Sequence, residues 1–397
     1  MTNNTTPPHT GTSPARVDDT VLAYHAARCD PVNLNAYLVA LAAWQRGLQV
    51  RFHYEVVSKC ERFARLPAQG YRGELFSVSD GTRTHYFCRT QGDRTTREAS
   101  ARCEDKHATK ARLREHGIDV PAGIKVTATQ LPNARRFLKR HPGQRFVLKP
   151  LSGTLGKGVH RQLTAKEALR LVPTLQGAHL LEESIPGPEY RIHVVDGRCV
   201  AALQRIAANV VGDGQQTLAT LIERKHTLRA RHPVYRDSPL PAQALMHAFL
   251  AEQGHSLNEV PHQGERVWLS AIPSFAAGGE LLDVTDTLPA HVAALAVRVQ
   301  AALGLPNTGL DLIVQHPGAP NERIVVLEAN QNPYIHPDAL AFPGVHPGGG
   351  NRIAEALIDT YFPESVGQRR YPNASFDMQA VVQALQSATV GEVALPV

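Results

Sequence analysis

A short apolar stretch near the middle of the chain and the loop that follows it each contain a lysine, and the loop is rich in small residues. Residues 145–150 form the apolar stretch, which contains Lys149, and residues 151–158 form a Ser/Gly-rich loop that contains Lys157. Small residues let backbone N–H groups approach phosphate oxygens, and the two lysines add positive charge. The loop is not a Walker A loop, because glycine follows Lys157, and not a dinucleotide fingerprint, because Arg161 replaces the third glycine. A phosphate-binding loop and a flexible surface loop both stay open for this segment alone.

Oxygen-bearing side chains lie on two apolar segments further along the chain. Asp311 lies in one segment, and Glu328 and Asn330 lie in the next. Residues two apart on a strand point to the same face, so Glu328 and Asn330 are expected to share one. Two carboxylates and an amide are hard oxygen ligands of the kind that Mg²⁺ uses when it bridges nucleotide phosphates. The alternative is that they are solvated strand ends.

Two further features suit a nucleotide and a developing charge. Residues 181–191 contain Glu182, a Pro/Gly bend and Glu189. Such a bend presents backbone donors and acceptors to a base, and Glu189 is placed to accept from ribose hydroxyls. Arg205 precedes a second Gly-rich stretch, and beside a metal–phosphate site an arginine stabilises negative charge. An ordinary exposed turn and a solvated arginine are the alternatives.

Hydrophobic periodicity predicts the elements that position these residues. The predicted elements are an amphipathic helix over 32–46, a strand over 48–57, a helix over 95–116, a hairpin of 190–195 with 199–206 around Asp196-Gly197, strands over 310–314 and 324–328, and a helix over 351–361. These elements outline a disordered lead (1–16), an N-terminal α/β domain (17–102), two further units (103–183 and 184–365) and a loosely attached tail (366–397).

Composition excludes several classes of protein. The 397 residues are 43% hydrophobic, yet the sequence has no run of about 20 apolar residues, so we expect no membrane span. Five scattered cysteines without a C-x-x-C spacing argue against a disulfide framework or zinc site and favour a reducing cytoplasm. The net charge of +6 suits phosphate-bearing or acidic small substrates, and no nucleic-acid motif accompanies it.

The order of these features along the chain is more specific than any one of them. It resembles the ATP-grasp superfamily, and the stretch from about Glu104 to Pro333 is similar to the ATP-grasp half of cyanophycin synthetases and of bifunctional glutathione synthetases. The matching motifs are Lys149-Pro with Gly156-Lys-Gly-Val159, Asn209-Val-Val-Gly-Asp-Gly214, Gly264-Glu-Arg-Val-Trp-Leu269, Gly278-Gly279 with Asp283-Val-Thr-Asp286, and Glu328-Ala-Asn-Gln-Asn-Pro333. The resemblance implies an α+β ATP-grasp fold behind the N-terminal α/β domain, with a nucleotide-binding subdomain over 103–183 and a metal and substrate subdomain over 184–365.

The resemblance also implies a role for each candidate residue. The implied nucleotide set is Lys106, Lys149, Ser152, Gly153, Gly156, Lys157, Gly158, Glu182, Ser184, Ile185, Glu189 and Arg191. In this set the lysines hold the ATP phosphates, the glycine loop closes over them, main-chain groups of Ser184 and Ile185 contact adenine, and Glu189 contacts ribose. The implied metal set is Asp311, Glu328 and Asn330 for Mg²⁺, with Mn²⁺ as the alternative ion. Arg205, Lys149 and Lys157 form the implied catalytic set, in which Arg205 stabilises the tetrahedral intermediate.

The activity implied is ATP-dependent ligation of a carboxylate to an amine through an acyl phosphate, with ADP and phosphate released. The expected partners are amino-acid or peptide substrates, without nucleic acid or membrane, and a homo-oligomer is compatible with the sequence. The motifs depart from the relatives at Ser270 and at Ser274-Phe-Ala276, which suggests an altered substrate pocket. The alternatives are a phosphotransferase, a carboxylate–thiol ligase and a non-catalytic ATP-binding regulator.

Overall fold

The computed structural model describes most of the chain after the first 29 residues. The described residues are 30, 33–53, 63, 73–151, 158–232, 235–236, 238–273, 277–335, 350–372, 374–387 and 392–395. Their helices are α1 (Asn33–Gln45), α2 (Arg97–Glu104), α3 (Lys106–Glu115), α4 (Leu131–Arg140), α5 (Ala165–Leu171), α6 (Leu218–Arg231), α7 (Gln243–Glu252), α8 (Ala290–Leu303), α9 (Gly350–Tyr361) and α10 (Met378–Ser387). Their strands are β1 (Gln49–His53), β2 (Leu75–Ser79), β3 (Thr84–Cys88), β4 (Gln91–Gly92), β5 (Gly123–Val126), β6 (Phe146–Pro150), β7 (His160–Leu163), β8 (His179–Glu183), β9 (Glu189–Val195), β10 (Arg198–Ile206), β11 (Asn209–Val211), β12 (Arg266–Trp268), β13 (Glu280–Asp283), β14 (Asn307–Gln315), β15 (Arg323–Asn330) and β16 (Glu392–Ala394).

The central sheet has the strand order β13-β10-β9-β14-β15, and each neighbouring pair is antiparallel. Successive side chains of a strand point to opposite faces. One face of this sheet is apolar and packs on α8, with Ile192 and Leu310 meeting Val292 and Val299 in one buried cluster. The opposite face carries the charged residues Glu189 and Arg191 of β9, Asp311 of β14 and Glu328 of β15. The apolar face thus stabilises a sheet whose other face is available for chemistry.

The predicted hairpin between β9 and β10 is confirmed. Asp196 and Gly197 both adopt positive φ, at 47° and 73°, as a tight two-residue turn requires. The strands it joins therefore pair over most of their length, which fixes Glu189 opposite Arg205. This register decides which charged groups meet on the polar face.

The small sheet has the strand order β5-β8-β6-β7. One apolar face packs against α4 and α5 through Phe137, Leu138 and Ala168. The chain passes from this sheet to the central sheet through residues 184–188. Gly187 has a φ of +133°, and a Cβ there would lie 2.8 Å from Cγ2 of Ile313 and 3.0 Å from the carbonyl oxygen of Val314. Only glycine fits this crossing between the two sheets.

The helix predicted over residues 95–116 is two helices. Asp105 interrupts it with an extended backbone (φ −93°, ψ 106°), and its carboxylate accepts from the N–H groups of His107 at 2.7 Å and Ala108 at 3.1 Å. An aspartate at an N-cap position accepts from the first backbone N–H groups of the helix that follows. In a continuous helix these N–H groups would donate to the preceding turn instead. Helix α3 consequently starts at Lys106. The helix predicted as amphipathic near residue 33 is buried on nearly all sides instead.

The segment 366–397, expected to be a loose tail, is partly integrated into the N-terminal sheet. That sheet has the order β16-β1-β2-β3-β4, so β16 pairs with β1. Phe376 is buried, and its ring centroid lies 5.0 Å from that of Tyr37, 6.0 Å from that of Trp44 and 6.0 Å from that of Phe52. The expectation missed these contacts because they join residues that are far apart in sequence. None of the helices in the described part of the chain has the length and apolar character needed to span a bilayer.

We expect Phe376→Ala to destabilise the N-terminal sheet by about 3–5 kcal/mol, because it removes a buried aromatic ring from a packed core. The melting temperature followed by circular dichroism measures this loss. Val366→Ala is the control, since Val366 lies in the same segment and is 56% exposed. Equal melting temperatures for the two variants would contradict the packing of Phe376.

Candidate active site

The polar face of the central sheet gathers the predicted metal residues. Asp311 on β14 lies directly opposite Glu328 on β15, and Gly309 lies opposite Asn330. The Asn330 side-chain amide donates to the Gly309 carbonyl at 3.4 Å. The two carboxylates and the amide therefore lie side by side across two strands. No group of three His, Cys, Asp or Glu side chains in the described ranges forms a metal cluster, so this candidate depends on two carboxylates and one amide.

Two arginines contact the same oxygen of Asp311. Arg191 Nε lies 2.8 Å from Asp311 Oδ1, and Arg205 Nη2 lies 3.3 Å from it. Arg205 Nε also lies 3.2 Å from Glu189 Oε1. Burial raises the pKa of Asp311, but Arg191 and Arg205 more than offset this, so the pKa lies below its ordinary value. Asp311 is therefore an ionised carboxylate held where a cation is favoured.

Glu189 differs from Asp311 in its electrostatics. Burial raises the pKa of Glu189 above its ordinary value, Arg205 opposes this, and the negative charge of Asp311 adds to it. The pKa values of Glu189 and Asp311 are thus shifted in opposite directions. His193, which the sequence interpretation did not single out, follows Arg191 by two residues on the same face and is buried. The two-residue spacing from Arg191 was the available signal.

Helix α3 connects the two sheets through lysines one turn apart. Lys106 Nζ lies 3.4 Å from Glu328 Oε1 of the central sheet. Lys110, four residues later, forms an ion pair with Glu182 of the small sheet. Residues four apart lie on one side of a helix, so a single helix faces both sheets. The sequence interpretation included Lys106 and missed Lys110, for which the four-residue spacing was the only signal.

The remaining predicted nucleotide residues lie on the small sheet or at its exit. Lys149 Nζ lies 2.6 Å from Glu182 Oε1, inside the sheet's polar face. The Ser184 N–H, one of the main-chain groups predicted to contact adenine, donates to the Arg145 carbonyl at 2.8 Å. Ile185 packs with Ile313 and Val325 of the central sheet. Gly158 has a φ of +70°. Ser152, Gly153, Gly156 and Lys157 lie outside the described residues, as does the expected lid.

The residues fit a divalent cation that bridges phosphates. The candidate ligands are hard oxygen donors, and three cationic side chains already point at the two carboxylates. Carboxylates that attract cations in this way suit Mg²⁺, which takes one or two protein carboxylates and completes its shell with phosphate oxygens and water. A bound Mg²⁺ would neutralise phosphate charge. Asp311, Glu328 and Asn330 would hold it.

The two sheets joined by the glycine crossing at Gly187 form an ATP-grasp fold. A bifunctional glutathione synthetase from Pasteurella multocida shares it with a TM-score of 0.60 and 24% identity, over 83% of this chain and 43% of that protein. In sequence, the chain is 29% identical over 352 residues to the bifunctional glutathione biosynthesis protein of Streptococcus thermophilus, covering 85% of this chain and 44% of the relative. The corresponding protein of Listeria innocua is 26% identical over 349 residues, covering 85% and 43%.

The chain spans less than half the length of these curated relatives. No protein-family model matches the sequence. The comparisons therefore establish the fold and the relationship, and the predicted resemblance to the ATP-grasp half of bifunctional glutathione synthetases is confirmed.

Proposed function

We propose that the protein is an ATP-dependent ligase that joins a carboxylate, such as that of an amino acid or peptide, to an amine. The observation that carries this is the cross-strand pair Asp311 and Glu328 with Arg205 on Asp311. A metal site that binds phosphate and an arginine that stabilises developing negative charge would then lie on the same face of one sheet. The relatives' role in glutathione biosynthesis supports an amino-acid-like substrate.

The candidate site residues have different parts in the proposed reaction. The acyl carboxylate attacks the γ-phosphate of ATP, forming an acyl phosphate and releasing ADP. Lys149 and Lys106 attract the phosphates; Asp311, Glu328 and Asn330 would hold Mg²⁺, which would neutralise phosphate charge. The amine then attacks the acyl carbon, and Arg205 stabilises the oxyanion of the tetrahedral intermediate until phosphate leaves. The amine's surplus proton passes to phosphate or solvent.

Arg205 has to leave Asp311 before it can contact the acyl group. Arg191 and Arg205 now contact Asp311, so they occupy the side of the carboxylate where a cation is favoured. A divalent cation held by Asp311 would weaken those contacts, because like charges repel. Arg205 would then be available to the acyl group. Arg191 would assist with phosphate or the acyl substrate in the same way.

Hydroxylamine trapping tests the proposed reaction class. The purified protein with ATP, Mg²⁺ and its carboxylate substrate should form a hydroxamate when hydroxylamine replaces the amine, because hydroxylamine attacks an acyl phosphate. A screen of ADP release over amino-acid pairs first identifies the substrates.

The other outcomes separate the alternatives. A stable phosphate ester without hydroxamate indicates a phosphotransferase, and dependence on a thiol indicates a carboxylate–thiol ligase. ATP binding without ADP release for any pair indicates a regulator. Stoichiometric AMP and pyrophosphate would refute the mechanism, because they indicate adenylation.

A further inference from the structure

Three charged side chains form a buried cluster between helix α3 and the small sheet. Glu182 on β8 forms an ion pair with Lys110 and a second one with Lys149, whose Nζ lies 2.6 Å from Glu182 Oε1. The exposed fractions are 3% for Lys110, 2% for Glu182 and 9% for Lys149. Buried charges are costly unless they are paired, so an arrangement with two cations and one anion needs a reason.

We propose that Lys110 is a positioning residue for nucleotide binding: it holds the Glu182 carboxylate in place and leaves the charge of Lys149 available to the ATP phosphates. The proposal rests on the ATP-dependent function proposed above. It concerns a residue that does not itself contact the nucleotide, and it explains why a second lysine is buried beside Lys149.

The geometry fixes Glu182 from three sides. Lys110 contacts one carboxylate oxygen and Lys149 contacts the other. Gly123 on β5 lies opposite Glu182, and a Cβ at Gly123 would lie 2.8 Å from the Cβ of Glu182. The side chain of Glu182 is therefore confined between a helix and its own sheet. Because Lys106 of the same helix reaches Glu328, α3 also sets the distance between this cluster and the candidate metal site.

Charge balance gives Lys110 its effect on Lys149. With both lysines protonated, the cluster carries one surplus positive charge, and an incoming phosphate is attracted to it. Without the charge of Lys110, Glu182 neutralises Lys149 alone and the attraction is lost. An incoming phosphate thus supplies the second negative charge that the buried cluster lacks.

The proton of Lys110 is unusually easy to remove. Burial lowers the pKa of Lys110 to about 8, Glu182 opposes this, and the positive charges of Lys149 and Arg114 add to it. Burial raises the pKa of Glu182, but Lys110 and Lys149 outweigh that effect, so Glu182 stays ionised. Lys110 is consequently charged below about pH 8 and neutral above it. Nucleotide affinity should then fall as the pH rises through that value.

Calorimetric titration with a non-hydrolysable ATP analogue and Mg²⁺ at pH 7.5 and pH 9.0 tests this. For the wild type we expect affinity to fall about fivefold between the two pH values. Lys110→Met should bind about tenfold more weakly at pH 7.5, with little further change at pH 9.0, because one nearby positive charge has been removed. Lys110→Arg should keep its affinity at both values, since arginine does not lose its proton in this range. The control is Lys139→Met, which removes an exposed lysine of the same subdomain and should behave as the wild type.

The outcomes distinguish this inference from the proposed function. Absence of binding by the wild type overturns the ATP-dependent function itself. Wild-type affinity and pH dependence in Lys110→Met overturn the positioning role. If Lys110→Arg loses affinity at pH 9.0 as the wild type does, Lys110 is not the titrating group. Thermal melts of each variant establish that it is folded, and Lys110→Arg retains the charge should Lys110→Met fail to fold.

Discussion

Glu328→Gln should reduce turnover by about 10²–10³-fold while the protein keeps its fold. The substitution preserves size and removes one negative charge from the candidate metal pair, and metal-assisted charge stabilisation contributes several kcal/mol to such reactions. The side chain of Glu328 is 33% exposed and that of its partner Lys106 is 12% exposed, and the amide oxygen of glutamine can still accept from the Lys106 ammonium group. Steady-state ADP release with the identified substrates measures the loss.

A second readout separates metal binding from general damage. The Mg²⁺ concentration for half-maximal activity should rise in Glu328→Gln, whereas circular dichroism and the melting temperature should change little. Glu223→Gln is the matched control, because Glu223 is an exposed glutamate on α6 outside the central sheet. Wild-type turnover and Mg²⁺ dependence in Glu328→Gln would exclude Glu328 as a metal ligand.

Arg205→Ala is expected to lower the turnover number by about 10²–10³-fold with a small change in nucleotide affinity. Removal of one preorganised group that stabilises an oxyanion typically has this cost. The remaining pair of Arg191 with Asp311 still compensates the buried carboxylate, so the sheet should remain folded. Single-turnover hydroxamate formation together with analogue binding gives the two quantities separately.

Comparison variants sharpen the interpretation of Arg205. Arg205→Lys should recover part of the lost turnover, because it restores the charge without the planar geometry of guanidinium. Arg198→Ala removes an exposed arginine at the start of the same strand and should leave turnover intact. A large loss of nucleotide affinity with normal turnover at saturation would assign Arg205 to nucleotide binding instead.

Local pattern predicted the parts of the site that depend on strand periodicity. Asp311 and Glu328 were expected on neighbouring strands, and the structure places them directly opposite each other. The hydrophobic pattern alone could not predict this register. The pairing of β14 with β15 has an irregularity between Asp311 and Leu312 that shifts it by one residue. A shift of one residue moves a side chain to the other face, so register has to come from the tertiary packing.

Contacts between segments that are far apart in sequence could not be predicted either, because they form only in the folded chain. Lys110 lies on a helix in a run of charged residues that resembles a solvated surface, and only the fold brings it to Glu182. Phe376 lies in a segment with little periodicity and becomes buried only through α1 and β1. The break at Asp105 depends on a cap that an unbroken charge-rich pattern conceals. For Lys110 and Phe376 the deciding partner is remote in sequence, whereas the cap at Asp105 is local.

The pairing of β1 with β16 has a consequence for how the chain folds during translation. Strand β1 is synthesised well before β16, so the edge of the N-terminal sheet formed by β1 has no partner strand until β16 has been made. Proteins generally fold domain by domain as they are made, and an unpaired strand edge promotes aggregation. The two sheets of the ATP-grasp unit have all their strands within residues 123–330 and can pair earlier. The N-terminal sheet is therefore completed after these two sheets, although β1 is made before them.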